Sequence, residues 1–440
     1  MEHSPATHSS QSDELLINLA NANTPAIIKV IGVGGGGGNA VAQMYREGIP
    51  GIQLLACNTD SKALETSPLP DRLQLGPGLG AGGRPEIGRM YAEESLDKIR
   101  ACFDEHVKMV FITAGMGGGT GTGASPVIAR EARKKGILTV GIVTLPFLFE
   151  REKQIDKALD GLEMLAAEVD ALLVINNERL MDIYPTQSII AAFRKADETL
   201  TVAVRSIVEI INMRGRVDLD FHDVYVVLKD GGIAIISSGY GEGEGRLKQA
   251  IEQALYSPLL NNNDVYRSRR IVFSITVAAE DGPGALRMDE MSAIYDFTAR
   301  FHGDIETKWG LSFDPELGER IKITILASGF GLYDQPAQAE LAHTAVSAEE
   351  EEREARRATF YAESGARRRS PSAARPKIYL FSMDDLSNEA LVALVDSVPT
   401  RSRTAADLQR MANQTGEAHF AGEEEEQSGG VIYFDMENSK

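Results

Sequence analysis

Seven residues constrain this chain more than any others: Gly117, Gly118, Gly119, Thr120, Gly121, Thr122 and Gly123, in unbroken succession. An apolar run from Val107 to Ala114 precedes them, and a helical pattern from Ala124 to Lys135 follows. A strand that ends in glycines and reopens as a helix leaves backbone N–H groups bare at the helix N-terminus. Glycine puts no Cβ in the way, the helix dipole favours negative charge, and the Thr hydroxyls add donors. The segment therefore suits phosphate oxygens. A plain tight turn needs fewer glycines.

The rest of the chain must supply a scaffold for such a loop. At 440 residues there is room for two or three domains and a sizeable core. The hydrophobic content of 43% and charged content of 25% are those of a soluble globular protein. A net charge of -19 argues against nucleic acid as a partner, because phosphate backbones are held by Lys and Arg clusters. Cys57 and Cys102 are the only cysteines, too few for a disulfide scaffold, and are expected to be buried and reduced. The stretch from Met1 to Asn23 is polar, and no apolar run is long enough to span a bilayer, so a cytoplasmic home is expected. Paired His or Cys spacing for a metal site is absent.

From Ala26 the pattern alternates strand and helix. Ile27 to Val33 enters the run Gly34 to Gly38, followed by a short helix from Asn39 to Glu47 and a strand from Ile52 to Ala56. A glycine-bearing loop, Pro68 to Pro85, leads to a helix from Glu86 to Ala101. Ile137 to Thr144 is a strand, Gln154 to Glu168 a helix, and Ala171 to Ile175 a strand. Continuous apolar strands between helices imply a parallel sheet covered on both faces. A helical pattern then runs from about Ser188 to Met213, roughly 40 Å at 1.5 Å per residue, long enough to join two domains. After it come apolar runs at Val224 to Leu228 and Ile233 to Ser237, a helix from Arg246 to Tyr256 and a strand from Ile271 to Ala278. A helix from Asp289 to Phe301 and a strand from Ile321 to Ala327 close a smaller α/β domain near Phe330. Acidic and Arg runs with an Ala/Ser/Pro mixture mark the remainder as a linker unlikely to fold alone. Its apolar islands, Lys377 to Phe381, Leu386 to Val398 and Val431 to Phe434, are candidate recruitment peptides. The expected divisions are thus a disordered extension (1–25), a nucleotide-binding domain (26–187), a connecting helix (188–213), a second domain (214–330) and a disordered tail (331–440).

Gly32 to Gly37 also satisfies the dinucleotide fingerprint G-x-G-x-x-G, with Asp60 near the position of a ribose acid. A nicotinamide enzyme needs one such turn, however, and does not account for Gly117 to Gly123. Two glycine-rich loops together with Gly80, Ala81 and Gly82 wrap a chain of phosphates from several sides, which suits a nucleoside di- or triphosphate. A Walker A lysine is missing, so backbone dipoles and a hydrated Mg²⁺ must offset the phosphate charge.

In their order, these segments resemble the tubulin/FtsZ family of GTPases, on its prokaryotic cell-division side. The matching residues run from about Ala26 to Phe330: Gly34 to Asn39, Asn58 to Asp60, Gly80 to Gly82, Gly117 to Gly123, Pro146 to Glu150, then Phe193 with Asp197. The resemblance implies a Rossmann-like parallel-sheet GTP-binding domain, a long central helix and a smaller α/β C-terminal domain. It implies that Gly35, Gly36, Gly37 and Asn39 contact the α- and β-phosphates and the sugar side. Ala81 and Gly82 would close over the γ-phosphate, and Gly117, Gly118, Gly119, Thr120, Gly121 and Thr122 would cradle the phosphate tail. Pro146 and Glu150 would hold the ribose, Asn176 would lie beside the base and Phe193 would stack on it. Asp197 would accept from guanine N1 and N2, which adenine cannot match.

The same resemblance implies that the loop Asp218-Leu219-Asp220-Phe221-His222-Asp223 inserts into the nucleotide site of the next subunit. There Asp220 and Asp223 would orient the attacking water. Head-to-tail contact would then both build filaments and complete the active site. GTP/GDP with Mg²⁺ held through the phosphates, self-assembly at the division site, and membrane-anchor and division proteins on the tail are the implied cofactors and partners. Direct membrane insertion is not expected.

Two positions depart from the family pattern: Asp218 stands where Asn is usual, and Gln154 where Arg is usual. The first adds a like charge expected to raise the pKa of one neighbouring carboxyl, and the second is expected to change one edge of the sugar and phosphate contact. A subunit that binds nucleotide without turning it over is the competing reading of the same fold.

Overall fold

The computed structural model describes residues 26–184, 186–255, 265–301 and 305–332, together with Arg353, Arg356, Arg357 and residues 359–361. The expected N-terminal extension and the three apolar islands of the tail lie outside the described residues. No helix among the described residues is long and apolar enough to cross a membrane.

Six strands form the first half of the sheet: β1 (Ile28–Val33), β2 (Ile52–Asn58), β3 (Arg72–Gln74), β4 (Met109–Gly115), β5 (Leu138–Leu145) and β6 (Ala171–Asn176). They lie in the order β3-β2-β1-β4-β5-β6, every pair parallel. Chain direction outward from β1 reverses between β1 and β4. In open α/β sheets a ligand binds at such a switch point, beyond the carboxyl ends of the strands. Both glycine runs sit there, one after β1 and one after β4.

The helices around this half are α1 (Gly34–Glu47), α2 (Ser61–Glu65), α3 (Pro85–Glu94), α4 (Leu96–Ala101), α5 (Thr120–Lys134), α6 (Glu152–Ala166) and α7 (Asn177–Ile183). Every residue of β1, β5 and β6 is buried, as expected of strands covered on both faces. One apolar core lies on the α5 and α6 side, holding Ile128, Leu159 and Leu162. The other lies on the α1 side, holding Val41 and Met44.

The second half continues the same sheet. β7 (Gly215–Val217), β8 (Gly232–Gly241), β9 (Arg270–Val277), β10 (Glu306–Phe313) and β11 (Ile321–Phe330) extend it in the order β8-β11-β9-β10-β7. The join is short, Ala171 opposite Gly232 and Leu172 opposite Ile233. β11 pairs antiparallel with β8 and β9, while β9 and β10 are parallel. The expected long helix is α8 (Ile189–Asn212), capped by Ser188, whose Oγ accepts from the Ala191 N–H at 3.2 Å. Its buried side carries Leu200, Ala203, Val204, Ile207 and Ile210. Arg205 on α8 pairs with Glu47 of α1, and Glu209 accepts from Lys322 of β11 at 2.6 Å. One helix thus braces both halves. The remaining helices are α9 (Phe221–Leu228), α10 (Arg246–Leu255) and α11 (Ser292–Thr298).

Three expectations are corrected and one open segment is assigned. The first helix begins at Gly34 rather than Asn39, so the glycine run is its first turn and not a loop before it. The expected helix from Glu86 to Ala101 is broken at Ser95, which leaves helical geometry at ψ 15°. The apolar run Val224 to Leu228, ambiguous by its pattern alone, belongs to the helix α9, with Val224, Val227 and Leu228 on its buried side. Cys102 is only half-buried, although Cys57 is fully enclosed.

Candidate nucleotide site

Two helix N-termini converge on the switch point. α1 follows β1 with no intervening loop, and its N-cap is Val33, which offers no side-chain acceptor. α5 is preceded by Gly119, which offers none either. Each helix therefore presents first-turn N–H groups without a side-chain cap, and the positive end of its dipole adds to them. That arrangement fits a phosphate chain.

The glycines divide by role. Gly35 and Gly118 border open space, with no heavy atom within 4 Å of where a Cβ would stand. Gly37 lies where a Cβ would fall 2.1 Å from the Thr113 carbonyl oxygen, so its absence lets α1 press against β4. A Cβ on Gly119 would lie 2.8 Å from that of Ala81, which brings the segment around Gly82 over the α5 N-terminus. Gly121 and Gly123 face the backbones of Gly115 and of Pro85 and Arg89 in the same way. Ala81 itself is buried.

The threonines brace the loops. Thr122 is fully buried, and its Oγ1 accepts from the Gly117 N–H at 2.8 Å across the turn. Thr120 Oγ1 shares a hydrogen with Thr59 Oγ1 at 2.6 Å, joining α5 to the end of β2. Asp60 caps α2 by accepting from the Lys62 N–H at 2.9 Å, a local role that accounts for an acid at this position.

Beyond β5, Pro146 and Phe147 lead into a single 3-10 turn, Leu148–Glu150. Glu150 Oε1 accepts from the Phe147 N–H at 3.0 Å, which fixes the turn. Phe193 on α8 is 44% exposed and meets Phe147 edge-on at 5.2 Å, leaving a ring face available. Asn176 ends β6 fully buried. Its Oδ1 accepts from the Glu178 N–H and its Nδ2 donates to the Phe360 carbonyl, so both ends of the amide are engaged. Gln154, at one of the two unusual positions, packs its backbone and side chain against Gly117.

A cavity of about 580 Å³ opens between α1 and the start of α8. Asn39, Gln43 and Arg46 line one side; Arg194, Lys195, Asp197 and Glu198 line the other. Burial pushes the Asp197 carboxyl up to about 7, with Arg46 pulling the other way. The sequence reading found Asn39 and Asp197 but not Gln43, Arg46, Arg194 or Lys195. Polar residues on helices read as ordinary solvated positions until the two helices are brought face to face.

The acidic loop lies at the far end of α8. From Asp197 to Asn212 is about 23 Å at 1.5 Å per residue, and the acids follow that end. Asp220 is the N-cap of α9 and accepts from the N–H groups of His222 and Asp223, at 2.8 and 3.0 Å. Asp223 in return accepts from the Asp220 N–H at 3.0 Å. This reciprocal capping box is a D-x-x-D signal that was readable in the sequence. Asp223 also pairs with Lys308 of β10 at 3.2 Å. Burial works against its ionisation, but the Asp220 backbone N–H and the Lys308 ammonium outweigh it and hold the carboxyl below the usual range. The added acid, Asp218, accepts from the Gly215 N–H at 2.7 Å, and His222 stacks on Tyr225. Among the described residues no group of three or more His, Cys, Asp or Glu is placed to hold a metal ion.

Comparison with known proteins gives the family. Residues 27–185 match the GTPase domain of the Tubulin/FtsZ family, residues 232–331 the FtsZ family C-terminal domain, and residues 373–418 the segment described as FtsZ, C-terminal. The cell division protein FtsZ of Porphyromonas gingivalis is 48% identical over 419 residues, 91% of each chain. That of Aquifex aeolicus is 42% identical over 311 residues, 70% of this chain and 83% of the relative. A solved FtsZ dimer from M. jannaschii superposes with a TM-score of 0.63 at 36% identity, covering 73% of this chain and 92% of that one. CetZ2 from Haloferax volcanii, a GTPγS-bound protofilament, shares the fold at 20% identity and a TM-score of 0.61, over 76% of this chain and 99% of its own. With two uncapped glycine helix starts at the switch point and 48% identity across nine-tenths of its length, the chain belongs to the FtsZ family.

Proposed function

We propose that this chain binds and hydrolyses GTP and polymerises head-to-tail into filaments of the bacterial division ring. The acidic loop of one subunit completes the active site of the next. The observation that carries the reading is the separation of two half-sites on one compact unit. The phosphate-binding helix starts lie at the switch point, and the capped carboxylates Asp220 and Asp223 lie past the far end of α8. A subunit built this way cannot bring its own acids to its own phosphates, whereas a neighbour stacked along α8 can.

In this reading the bare N–H groups of Gly35, Gly36 and Gly118 hold phosphate oxygens, and Asn39 hydrogen-bonds nearby. Ala81 and Gly82 close the γ-phosphate end, Pro146 and Glu150 border the ribose, and Phe193 stacks on the base. Asp197 selects guanine by accepting from its two donors. A Mg²⁺ ion, bound through the phosphates, would neutralise charge that no P-loop lysine meets. Asp220 and Asp223 orient water toward the γ-phosphate. Self-association, a membrane anchor and division proteins engaging the tail belong to the same proposal.

Guanine selection should depend on pH. Asp197 must be a carboxylate to accept both hydrogen bonds, and burial holds its pKa near 7. Below that pH the group is protonated and must release its proton to bind. Affinity for GTP is therefore expected to fall about tenfold per pH unit as pH drops from 7 toward 5, read by titration of a fluorescent GTP analogue. A flat profile would contradict the assignment, and Asp197→Asn should flatten it while weakening binding throughout.

Lys308→Met removes one of the two groups that hold the Asp223 carboxyl low, leaving Asp220 alone to oppose burial, so the carboxyl rises. The acid limb of the turnover–pH profile should move to higher pH. An unmoved limb would remove Asp223 ionisation from the mechanism.

A further inference from the structure

Past β11 the composition predicts a linker that does not fold alone, yet part of it is seated on the nucleotide-binding half. The helical residues Arg356, Arg357, Thr359, Phe360 and Tyr361 lie against α6 and the ends of β5 and β6. Phe360 is 6% exposed and Tyr361 4%, and both belong to the apolar core that contains Leu145, Ile155 and Leu159. The Tyr361 hydroxyl donates to the Pro146 carbonyl at 2.7 Å, and the Asn176 amide donates to the Phe360 carbonyl at 2.5 Å. Burial, with Glu178 and Glu150 adding to it, pushes the Tyr361 phenol far up, so it stays a donor.

The docking has an electrostatic half. Glu152, Asp156, Asp160 and Glu163 recur at intervals of four, four and three along α6, which places them on one face. Arg357 grips Asp156 through two bonds of 2.7 Å and reaches Glu152 at 3.3 Å. Arg356 meets Asp160 at 2.9 Å and Glu163 at 3.0 Å. A two-pronged guanidinium–carboxylate pair fixes direction as well as distance. Two Arg and two aromatic residues, spaced to meet an acidic face and an apolar cleft together, make a specific seat rather than a chance contact.

The seat touches the strand ends assigned to the ribose and base, Pro146 and Asn176. We infer that Arg356, Arg357, Phe360 and Tyr361 form a clasp on the nucleotide-binding half, in which Arg357 anchors the segment to α6 and Tyr361 acts as the positioning residue that holds the β5 end in place for nucleotide. This rests on the GTP reading given above. Release of the clasp loosens that edge and speeds nucleotide loss. By reciprocity, bound nucleotide tightens the clasp.

The test uses the full chain and a fluorescent GDP analogue. Arg357→Glu should raise the dissociation rate about tenfold, within the usual range of coupling between sites, and Tyr361→Phe should raise it less. The charge swap Arg357→Glu with Asp156→Arg should restore most of the parent rate, a rescue that general destabilisation cannot give. Amide hydrogen exchange at Arg356, Arg357, Phe360 and Tyr361 provides a readout that does not need nucleotide. Protection is expected in the parent, lost in Arg357→Glu and deepened by saturating GDP. Dissociation within twofold of the parent in an Arg357→Glu chain whose segment has lost protection would overturn the inference, as would an unprotected segment in the parent. A parent chain that binds no GDP analogue but keeps the segment protected would overturn the GTP reading and leave the docking intact.

Discussion

Asp223→Ala is expected to reduce GTP turnover by about 10²- to 10⁴-fold, the usual contribution of a positioned acid or base. Nucleotide binding should be unchanged, because the loop lies at the opposite end of α8 from the phosphate-binding helix starts. The variant also breaks half of the α9 capping box, at about 1 kcal/mol, so a melting curve must accompany the kinetics. Asp223→Asn separates the two effects: its amide still accepts from the Asp220 N–H at the helix start, but it is no longer anionic. Turnover lost equally in Ala and Asn, with the Asn variant close to the parent in melting, identifies the charge as the requirement. Turnover kept in Asn would reduce Asp223 to a helix cap and remove its charge from the mechanism.

The second large effect separates glycines that look alike in the sequence. In Gly123→Ala the new Cβ would stand 2.0 Å from the Pro85 carbonyl oxygen and 2.7 Å from the Arg89 nitrogen, both backbone atoms of α3. Neither can give way cheaply, so a loss of about 3 kcal/mol is expected, or a melting temperature lower by roughly 5–10 °C. In Gly118→Ala the Cβ enters open space, and stability should hold. Affinity for GTP should nevertheless fall about tenfold or more, because the methyl occupies room that phosphate oxygens need. Differential scanning fluorimetry and nucleotide titration on the two variants give opposite patterns if the roles are as assigned. A Gly118→Ala chain that binds GTP like the parent would remove Gly118 from the phosphate cradle.

Much of the first half was legible because its signals are local. The alternation of apolar strands and helices, the two glycine runs and the Ser188-to-Met213 periodicity all survive in the structure, with α8 shorter by one residue at each end. The glycine runs misled only about helix starts. Glycine disfavours helix interiors, but a first turn is where backbone donors are wanted bare, so Gly34 opens α1. Val224 to Leu228 was ambiguous as an apolar run of β-branched residues, and the capping acids Asp220 and Asp223 decide for helix. β10 was missed because its first four residues are exposed and only Gly310 and Ser312 are buried, a pattern that gives no apolar alternation. The clasp was illegible for a different reason. Its two Arg follow an acidic run, and nothing in the order of residues says that their partners stand about 200 positions earlier, on α6.

The central claim is that the active site forms between subunits, and its most direct test is phosphate release as a function of protein concentration, with GTP and Mg²⁺ saturating and sedimentation run in parallel. An active site shared between subunits gives negligible specific activity at low concentration, a cooperative rise above a threshold, and pelleted polymer appearing at that same threshold. Specific activity that stays constant down to concentrations where nothing sediments would place the complete site within one chain and contradict the claim.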